Sequence, residues 1–225
     1  KRDLGGRIDN AARGEKDVNE EDVDGARASL KVVANDRLNI SLTALYQDQH
    51  VGGAQNTNPV LGDLVQFRRR QEPSQDNFRE YNGTVSYDLG FADLVSSASY
   101  FTRDFVFTRD LQALADVFGA GTSSLDVDLT TETFTEEARL SSKSGGRFRW
   151  VAGVFYKDRK SGDLETADLD FVNFYRAESA LRLKQVALFG EADYHLTDKL
   201  KVTAGLRAFR ETQDIHAETV FFTPQ

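Results

Sequence analysis

Carboxylates lie close together near the start of the chain, in the segment DVNEED from Asp17 to Asp22. Calcium takes about six to eight oxygen ligands in proteins, so a cluster of this kind is a candidate calcium site. A calcium loop of the EF-hand type needs glycine at its sixth position, and Asp22 stands there instead. We therefore interpret the segment as a solvated acidic loop.

Other groups that could perform catalysis or bind metal are sparse. The three histidines, His50, His195 and His216, lie far apart in sequence without the spacing of metal ligands. The chain contains no cysteine, which excludes a thiolate metal site and a cysteine nucleophile. No convergent set of titratable groups is present. We expect no catalytic residue, no metal site, no cofactor and no enzyme activity.

Arginine and aromatic residues occur together in two segments, QFRRRQE and DFVNFYRAE. Such a mixture can bind an anionic or aromatic ligand, and loops on a rigid scaffold often carry function. The alternative is that both segments extend strands above a membrane, or contact anionic lipid of the outer leaflet. The candidate ligand-binding residues are Phe67, Arg68, Arg69, Arg70, Phe171, Phe174, Tyr175 and Arg176.

Composition excludes several classes of protein. The chain has 225 residues with 36 acidic and 28 basic side chains, giving a net charge of −8. Its only basic cluster is Arg68 to Arg70, so it lacks the concentrated positive surface that nucleic-acid binding requires. Hydrophobic residues make up 40%, and none of their runs reaches the length of about 18 that a transmembrane helix needs.

The elements that would position these groups are β-strands. In the segment 185–211, apolar and polar residues alternate over two stretches separated by a short polar break, which indicates an antiparallel hairpin. The same pattern recurs along the chain and predicts eight strands in four hairpins. The predicted strands are 23–34, 37–48, 78–89, 92–105, 131–142, 147–159, 182–195 and 199–213.

The predicted connections alternate in length. Tight turns are expected at 35–37, 90–91, 143–146 and 196–198. Three long segments, 49–77, 106–130 and 160–181, connect the hairpins. Within the second of them, apolar residues at helical spacing between Leu111 and Phe118, followed by glycine, predict a short helix on a loop.

Three features decide between a soluble core and a lipid-facing surface. The strands are longer than the average of about 5–6 residues in soluble proteins and reach the 9–11 that cross a bilayer. Short turns at one end with long segments at the other are typical of outer-membrane barrels. Aromatic residues fall near both ends of the strands, as two lipid–water interfaces select. These interface aromatics are Tyr46, Tyr81, Tyr87, Tyr100, Phe148, Trp150, Tyr156 and Tyr194.

The alternation also predicts which side chains share a face. We expect one set to face lipid and the other to lie on the opposite side of the sheet, while the facing of strand 92–105 stays open. The lipid set is Leu200, Val202, Ala204, Leu206, Val186, Leu188, Leu42 and Val154, and the opposite set is Lys201, Arg207, Glu191 and Thr43.

Four stretches resemble the barrel domain of TonB-dependent outer-membrane receptors. They are GRIDNAARGEKDVNEEDVDGARASLKV, NDRLNISLTALYQD, FTEEARLSSKSGGRFRWVAGVFYKDRK and QVALFGEADYHLTDKLKVTAGLRAFRE. Together they cover most of the chain, in the order of a contiguous middle part of such a barrel. We expect residues 1–225 to form part of that barrel, without a plug domain, a signal peptide or a closing C-terminal strand.

The resemblance implies a transporter in the outer membrane of a Gram-negative bacterium. Its partners would be outer-membrane lipid, the TonB complex through parts of a longer chain, and a small-molecule ligand of the siderophore, haem, cobalamin or glycan class. Two alternatives stay open from the residues themselves. One is a passive porin-like or structural barrel, and the other is a soluble β-sandwich that acts as a binding module.

Overall fold

The computed structural model describes residues 2–143 and 146–222, which form eleven strands and one helix. The strands are β1 (Arg2–Leu4), β2 (Asp9–Asn10), β3 (Glu21–Asn35), β4 (Leu38–Val51), β5 (Val65–Gln66), β6 (Ser74–Asp88), β7 (Ala92–Asp110), β8 (Ser123–Ser142), β9 (Phe148–Leu169), β10 (Val172–Thr197) and β11 (Leu200–Phe221). The helix α1 is Gln112–Phe118. No helix in this part of the chain is long and apolar enough to cross a membrane.

Nine strands form one antiparallel sheet in the order β1-β3-β4-β6-β7-β8-β9-β10-β11. Each long strand pairs with the long strand that precedes or follows it in sequence, so the sheet is an up-and-down meander. The short strands β2 and β5 form a separate parallel pair. The predicted all-β architecture with eight long strands is confirmed, and the three additional strands are only two or three residues long.

The strands differ from the prediction at the ends away from the tight turns, where they are longer. Segment 160–181 was expected to be a long connection, and this is wrong. Strand β9 continues to Leu169 and β10 begins at Val172, so only Asp170 and Phe171 connect them, both with positive φ (48° and 69°). Neither face of these extensions is uniformly apolar. Leu164 shares its face with Lys160 and Thr166, and Ala167 shares its face with Asp163 and Glu165. The sequence therefore lacks the regular alternation that predicts a strand there.

Segment 106–130 is likewise mostly strand, because β7 reaches Asp110 and β8 begins at Ser123. The short helix predicted in it is confirmed as α1, which ends at Gly119 in the left-handed conformation (φ 67°). Segment 49–77 does contain a long connection, since only the two-residue β5 lies between β4 and β6. Over the described residues from β4 onwards, the upper ends of the strands therefore carry the long loop 52–73, the helix-containing connection 111–122 and a two-residue turn at 170–171.

The register assigns the side chains to two faces, because residues directly opposite in a ladder share a face. Leu188 lies opposite Val154 and Ala208, while Thr43 lies opposite Ser29 and Asn82. We call the side of Leu188 the apolar face and the side of Thr43 the polar face. The predicted partition is confirmed. The apolar face carries Leu200, Val202, Ala204, Leu206, Val186, Leu188, Leu42 and Val154, and the polar face carries Lys201, Arg207, Glu191 and Thr43.

The register also settles the facing of β7, which the sequence left open. Tyr100 lies opposite Tyr81 and Phe134 on the apolar face. Phe101 and Arg103, at neighbouring alternate positions, lie on the polar face opposite Glu80 and Phe78. The sequence could not decide this because adjacent aromatic residues occupy opposite faces of this strand.

The exposure of side chains is the reverse of that in a soluble sheet. On the apolar face Leu188 is 61% and Leu206 79% exposed, whereas Ala187 on the polar face is 1% exposed. Within residues 2–143 and 146–222 no second sheet covers the apolar face. This arrangement contradicts the soluble β-sandwich, which buries apolar side chains between two sheets.

All eight aromatic residues expected at lipid interfaces lie on the apolar face. The upper band comprises Tyr46, Tyr81, Tyr100 and Tyr156, and the lower band comprises Tyr87, Phe148, Trp150 and Tyr194. Tyr81 and Tyr87 are six positions apart on β6, a distance of about 20 Å along the strand. The apolar band of a membrane barrel is about 25 Å tall, which suits this separation. Contact of these rings with lipid stays a prediction.

Replacing Leu188 with lysine should destabilise the protein in a membrane. A lysine at mid-depth on a lipid-facing strand costs about 2–4 kcal/mol of unfolding free energy. The measurement is urea unfolding of the protein folded in lipid vesicles. Gln185→Lys on the same strand is the matched control, because Gln185 lies on the polar face and contacts Glu211 at 3.0 Å. Equal destabilisation by both substitutions would contradict the assignment of the faces.

Gly153 should not tolerate a larger side chain. A Cβ atom at Gly153 would lie 2.4 Å from the Phe189 ring and 2.8 Å from the carbonyl oxygen of Ala138. We expect Gly153→Val to lower the unfolding free energy by about 1–3 kcal/mol through overpacking. Gly205→Ala, also on the polar face, serves as the control because its Cβ would meet Glu191 at an ordinary 3.5 Å. An unchanged unfolding midpoint for Gly153→Val would refute the close packing.

The chain on its own should be insoluble in water without detergent. Strand β11 has only one partner, and β1 pairs with only Glu21 to Val23 of β3. Both edges of the sheet therefore expose unpaired backbone N–H and C=O groups, which promote aggregation. Light scattering of the isolated chain in plain buffer tests this. A monodisperse monomer that melts cooperatively would contradict it.

Candidate ligand-binding site on the polar face

Strand β7 carries a row of aromatic and arginine side chains on the polar face, which we call the β7 ladder: Phe101, Arg103, Phe105, Phe107 and Arg109. The rings of Phe105 and Phe107 are 5.2 Å apart. The guanidinium of Arg103 lies 5.1 Å from the centre of the Phe105 ring, and that of Arg109 lies 5.1 Å from that of Phe107. Cations over aromatic faces are held electrostatically, so the row presents ordered positive charge beside apolar surface.

The neighbouring strand β6 holds part of the β7 ladder in place. The two oxygens of Asp76 accept hydrogen bonds from Nε and Nη2 of Arg103 at 2.7 and 2.6 Å. This bidentate pair raises the pKa of Arg103. Phe78 contacts Phe101 with ring centres 6.2 Å apart. Arg103 is thus committed to a carboxylate, whereas the described residues provide no ion-pair partner for Arg109.

A cavity of about 430 Å³ lies at the upper end of the β7 ladder. One wall is formed by Phe105, Phe107 and Arg109, and the opposite wall by residues 53–56, Arg68 and Glu72. Arg68 Nε lies 3.1 Å from Glu72 Oε2, and Arg68 Nη2 donates to Asn56 Oδ1 at 3.4 Å, so the guanidinium is held among residues that line the cavity. A cavity of this size with rings and guanidinium groups suits a small molecule that is anionic, aromatic or both.

Asn10 fixes the backbone of Arg68. Its Oδ1 accepts a hydrogen bond from the Arg68 N–H at 3.0 Å, and its Nδ2 donates to the Arg68 carbonyl at 2.9 Å. Asn10 is 1% exposed, so both bonds are shielded from water. Asn10 belongs to β2, which pairs with β5 just before Arg68 in sequence. The loop residue that lines the cavity is therefore held by the segment before β3 rather than by its own loop alone.

Arg70 brings together the two arginine-aromatic segments that the sequence singled out. Its guanidinium lies 4.2 Å from the centre of the Phe171 ring and 3.3 Å from Asp168 Oδ2. Its backbone N–H donates to Asp110 Oδ2 at 2.9 Å. Asp168 also accepts a hydrogen bond from the Ser124 N–H at 3.1 Å. These bonds hold the long loop against the ends of β7, β8 and β9, so Arg70 and Phe171 have a structural role.

The other sequence candidates lie apart from the cavity wall. Arg69 pairs with Asp116 of α1 at 2.8 Å, and Phe67 lines a smaller cavity of about 260 Å³ beside Arg68. Phe174, Tyr175 and Arg176 belong to β10 and not to a loop. Of the eight candidates, Arg68 alone lines the cavity beside the β7 ladder. Ligand contact by any of them stays a prediction.

A second group of titratable residues lies on the polar face of β9 and β10. The phenol of Tyr175 donates to Glu165 Oε2 at 3.0 Å, and this bond raises the Tyr175 pKa. Burial, and next the neighbouring Glu165, raise the pKa of Asp163. Glu165 lies opposite Val127, which lies opposite Phe107, so these acids are about 10 Å from the ladder across two strands. Asp163 and Glu165 therefore place acidic groups on β9, two strands away from the β7 ladder.

The acidic segment 17–22 is exposed except at Val18, Asn19 and Glu21. Asn19 Oδ1 accepts hydrogen bonds from the N–H groups of Arg7 and Ile8, both at 2.8 Å, and its Nδ2 donates to Gln55. The segment thus connects two loops. Over the described ranges, no group of three acidic or histidine side chains is arranged to hold a metal ion.

Sequence reasoning missed the β7 ladder. The segment FTRDFVFTR, residues 101–109, contains the signal, since every second residue is phenylalanine or arginine. The alternation does not reveal the ladder because the predicted strand ends at residue 105 and its facing is open from the sequence alone. Loop residues were preferred as ligand contacts, whereas the structure places most of the cavity's aromatic surface on a strand.

Comparison with known proteins agrees with this geometry. Residues 13–225 match the family model described as TonB dependent receptor-like, beta-barrel. No curated protein matches the chain. Among solved structures, the ferric yersiniabactin uptake receptor FyuA from Yersinia pestis aligns with a TM-score of 0.83 and 11% identity over 98% of this chain. The unliganded ferric citrate transporter FecA aligns with a TM-score of 0.65 and 10% identity over 90% of it.

The chain spans 34% of FyuA and 33% of FecA, so it corresponds to about a third of either protein. At these identities the structural likeness concerns the fold. The family model, in contrast, covers nearly the whole chain and agrees with the long antiparallel strands, the unpacked apolar face and the polar opposite face. This chain therefore belongs to the TonB-dependent receptor family, of whose β-barrel it forms a part.

Proposed function

We propose that the chain is part of an outer-membrane receptor that actively takes up a scarce ligand of the siderophore, haem, cobalamin or glycan class. The observation that carries this proposal is the family match over residues 13–225. It favours the receptor over the passive porin-like barrel, because members of that family use energy relayed by TonB. Both solved relatives take up ferric chelates according to their names, so iron chelates are the first ligands to test.

Within this function the chain supplies barrel wall and part of the ligand-binding surface. The polar face would line the lumen, with the β7 ladder and Arg68 near its outer opening. Phe105 and Phe107 would offer apolar contact, and Arg109 would bind an anionic group of the ligand. The remaining candidate residues, from Phe67 to Arg70 and from Phe171 to Arg176, would support the loops around this opening.

The proposed location is the outer membrane of a Gram-negative bacterium, with the apolar face in lipid and the two aromatic bands at its interfaces. The partners would be outer-membrane lipid, a small ligand, and the TonB complex, which would be engaged by parts of a longer receptor. Residues 1–225 would then be one segment of the barrel domain. No catalytic step is required, because the ligand is moved and not converted.

Truncating the β7 ladder should impair uptake. The receptor that contains this chain is expressed in cells lacking their own iron receptors, with and without a functional TonB, and radioactive iron accumulation is measured from a panel of ferric siderophores and haem. We expect TonB-dependent accumulation from one member of the panel. The double substitution Phe107→Ala and Arg109→Ala should reduce its affinity at least about tenfold, because the cavity loses a ring and an unpaired cation.

The matched control is Thr102→Ala with Val106→Ala, on the same strand but on the opposite face and outside the cavity. Surface labelling should show that both variants reach the membrane in equal amounts. Iron accumulation that does not depend on TonB for any ligand of the panel would refute the proposed receptor function. If uptake depends on TonB but both double variants bind the ligand equally well, the protein is a receptor whose ligand-recognition residues lie outside the β7 ladder.

A further inference from the structure

The apolar face has a groove near the upper ends of the strands, beyond the aromatic band. Six residues that are consecutive cross-strand neighbours on β3, β4, β6, β7, β8 and β9 form its lower row: Asp22, His50, Gln75, Val106, Asp128 and Leu164. Glu20, Gly52, Pro73, Thr108, Asp126 and Thr166 form the upper row. The volume is about 520 Å³, and we call this feature the outer groove.

The outer groove runs across the strands. Neighbouring strands are about 4.8 Å apart, so six strands give it a length of about 24 Å. Its lower row lies six positions beyond Ala44, Tyr81 and Tyr100, or about 20 Å further along the strands. It therefore lies outside the apolar band and faces away from the polar face that carries the cavity.

The floor of the groove is apolar and its edges are acidic. Val106, Leu164 and Pro73 contribute apolar surface, and Val106 is 39% exposed. Glu20, Asp22, Asp126 and Asp128 are exposed carboxylates along its two rows. Three further carboxylates, Asp24, Asp48 and Asp104, lie in the next row towards the membrane.

No positive side chain balances this charge within the two rows, all of whose positions the structure describes. Their single basic side chain is His50, which lies 3.3 Å from Asp48. Two arginines lie next to the upper row and both are paired: Arg70 with Asp168 at 3.3 Å, and Arg176, opposite Thr166, with Glu178 at 2.9 Å. An exposed apolar floor flanked by carboxylates is costly to leave in water and repels other anions.

We infer that the outer groove is a docking site for a cationic amphipathic segment of a partner protein, bound in an extended conformation. Its length accommodates about seven extended residues. Apolar side chains on one side of such a segment would cover Val106 and Leu164. The basic side chains on its other side are long enough to bend back to the carboxylates at the edges of the groove. This inference does not depend on the identity of the transported ligand.

Charge decides against the other occupants. A phosphate-bearing lipid headgroup would be repelled by the carboxylates of both rows and of the row below. A second copy of the chain, related by two-fold symmetry, would bring two identical acidic grooves together, which electrostatics opposes. An acyl chain would leave the carboxylates unpaired. A polypeptide with alternating positive and apolar side chains satisfies both features at once.

The test uses the receptor that contains this chain, purified in zwitterionic detergent, and a fluorescent ten-residue peptide of alternating lysine and leucine. Binding is measured by fluorescence anisotropy. The triple substitution Asp22→Asn, Asp126→Asn and Asp128→Asn should weaken binding at least about tenfold. Leu164→Lys should weaken it similarly, because it places a positive charge on the floor. Far-UV circular dichroism should be unchanged in both variants.

The matched control is Asp36→Asn, Asp63→Asn and Asp198→Asn, which removes the same charge from exposed turn and loop residues outside the groove. It should change the affinity less than about twofold. A peptide of alternating lysine and serine should bind the unmodified receptor at least about tenfold more weakly, since it has no apolar side chains for the floor.

Several results would overturn the inference. Equal loss of binding in the control triple variant would indicate nonspecific attraction by net charge. Equal binding of the lysine–serine peptide would remove the role of the apolar floor. If light scattering shows that the groove variant converts a dimer into a monomer, the occupant is a second copy. If the groove variant instead no longer adsorbs to vesicles of anionic lipid, the occupant is the membrane surface.

Discussion

The continuous hydrogen-bonded register between long antiparallel strands is the constraint on which the rest of this structure depends. Strands β10 and β11 pair from Tyr175 to Thr197, and the register is interrupted in only three places within the described sheet. These interruptions lie at Val33, Asn173 and His195, close to turns. Because a shift by one residue moves every side chain to the other face, the uninterrupted register keeps one face apolar across all eight long strands.

That register explains why the protein can expose leucine and bury alanine. On the polar face Ala187 is enclosed and the Phe189 ring covers Gly153. Leu188 and Leu206 lie on the opposite face, where the predicted lipid environment would remove them from water. Backbone groups within the ladder are satisfied by neighbouring strands, so stability does not require a second layer. It requires that the free edges of β3 and β11 be paired, as closure of a barrel achieves.

Sequence reasoning found the parts of the fold that alternation encodes. The hairpin of β10 and β11 and its facing were predictable because Val186 to Tyr194 and Leu200 to Ala208 alternate regularly. The upper extensions were not, since neither of their faces is uniformly apolar: Leu164 shares one face with Lys160, and Ala167 shares the other with Asp163 and Glu165. The contact of Arg70 with Asp168 joins residues 98 positions apart, which no local pattern reveals. Arg68 is a candidate from its arginine cluster alone. The β7 side chains beside it in the cavity are not, because only pairing with β6 and β8 shows which face of the sheet they occupy.

The same stretch of β7 contributes to two surfaces, and the pleat of the strand divides most of its side chains between them. Phe105 and Arg109 line the cavity on the polar face, Val106 lines the outer groove on the apolar face, and Phe107 and Thr108 border both. Successive side chains point to opposite sides of a sheet, so a substitution at Val106 or Arg109 leaves the side chains of the other surface in place. Phe107 and Thr108 are the positions through which the two surfaces would couple, and the described register between β6, β7 and β8 has no bulge that separates them. The proposed ligand recognition and the inferred partner docking would therefore vary independently at Val106 and Arg109, but not at Phe107 and Thr108.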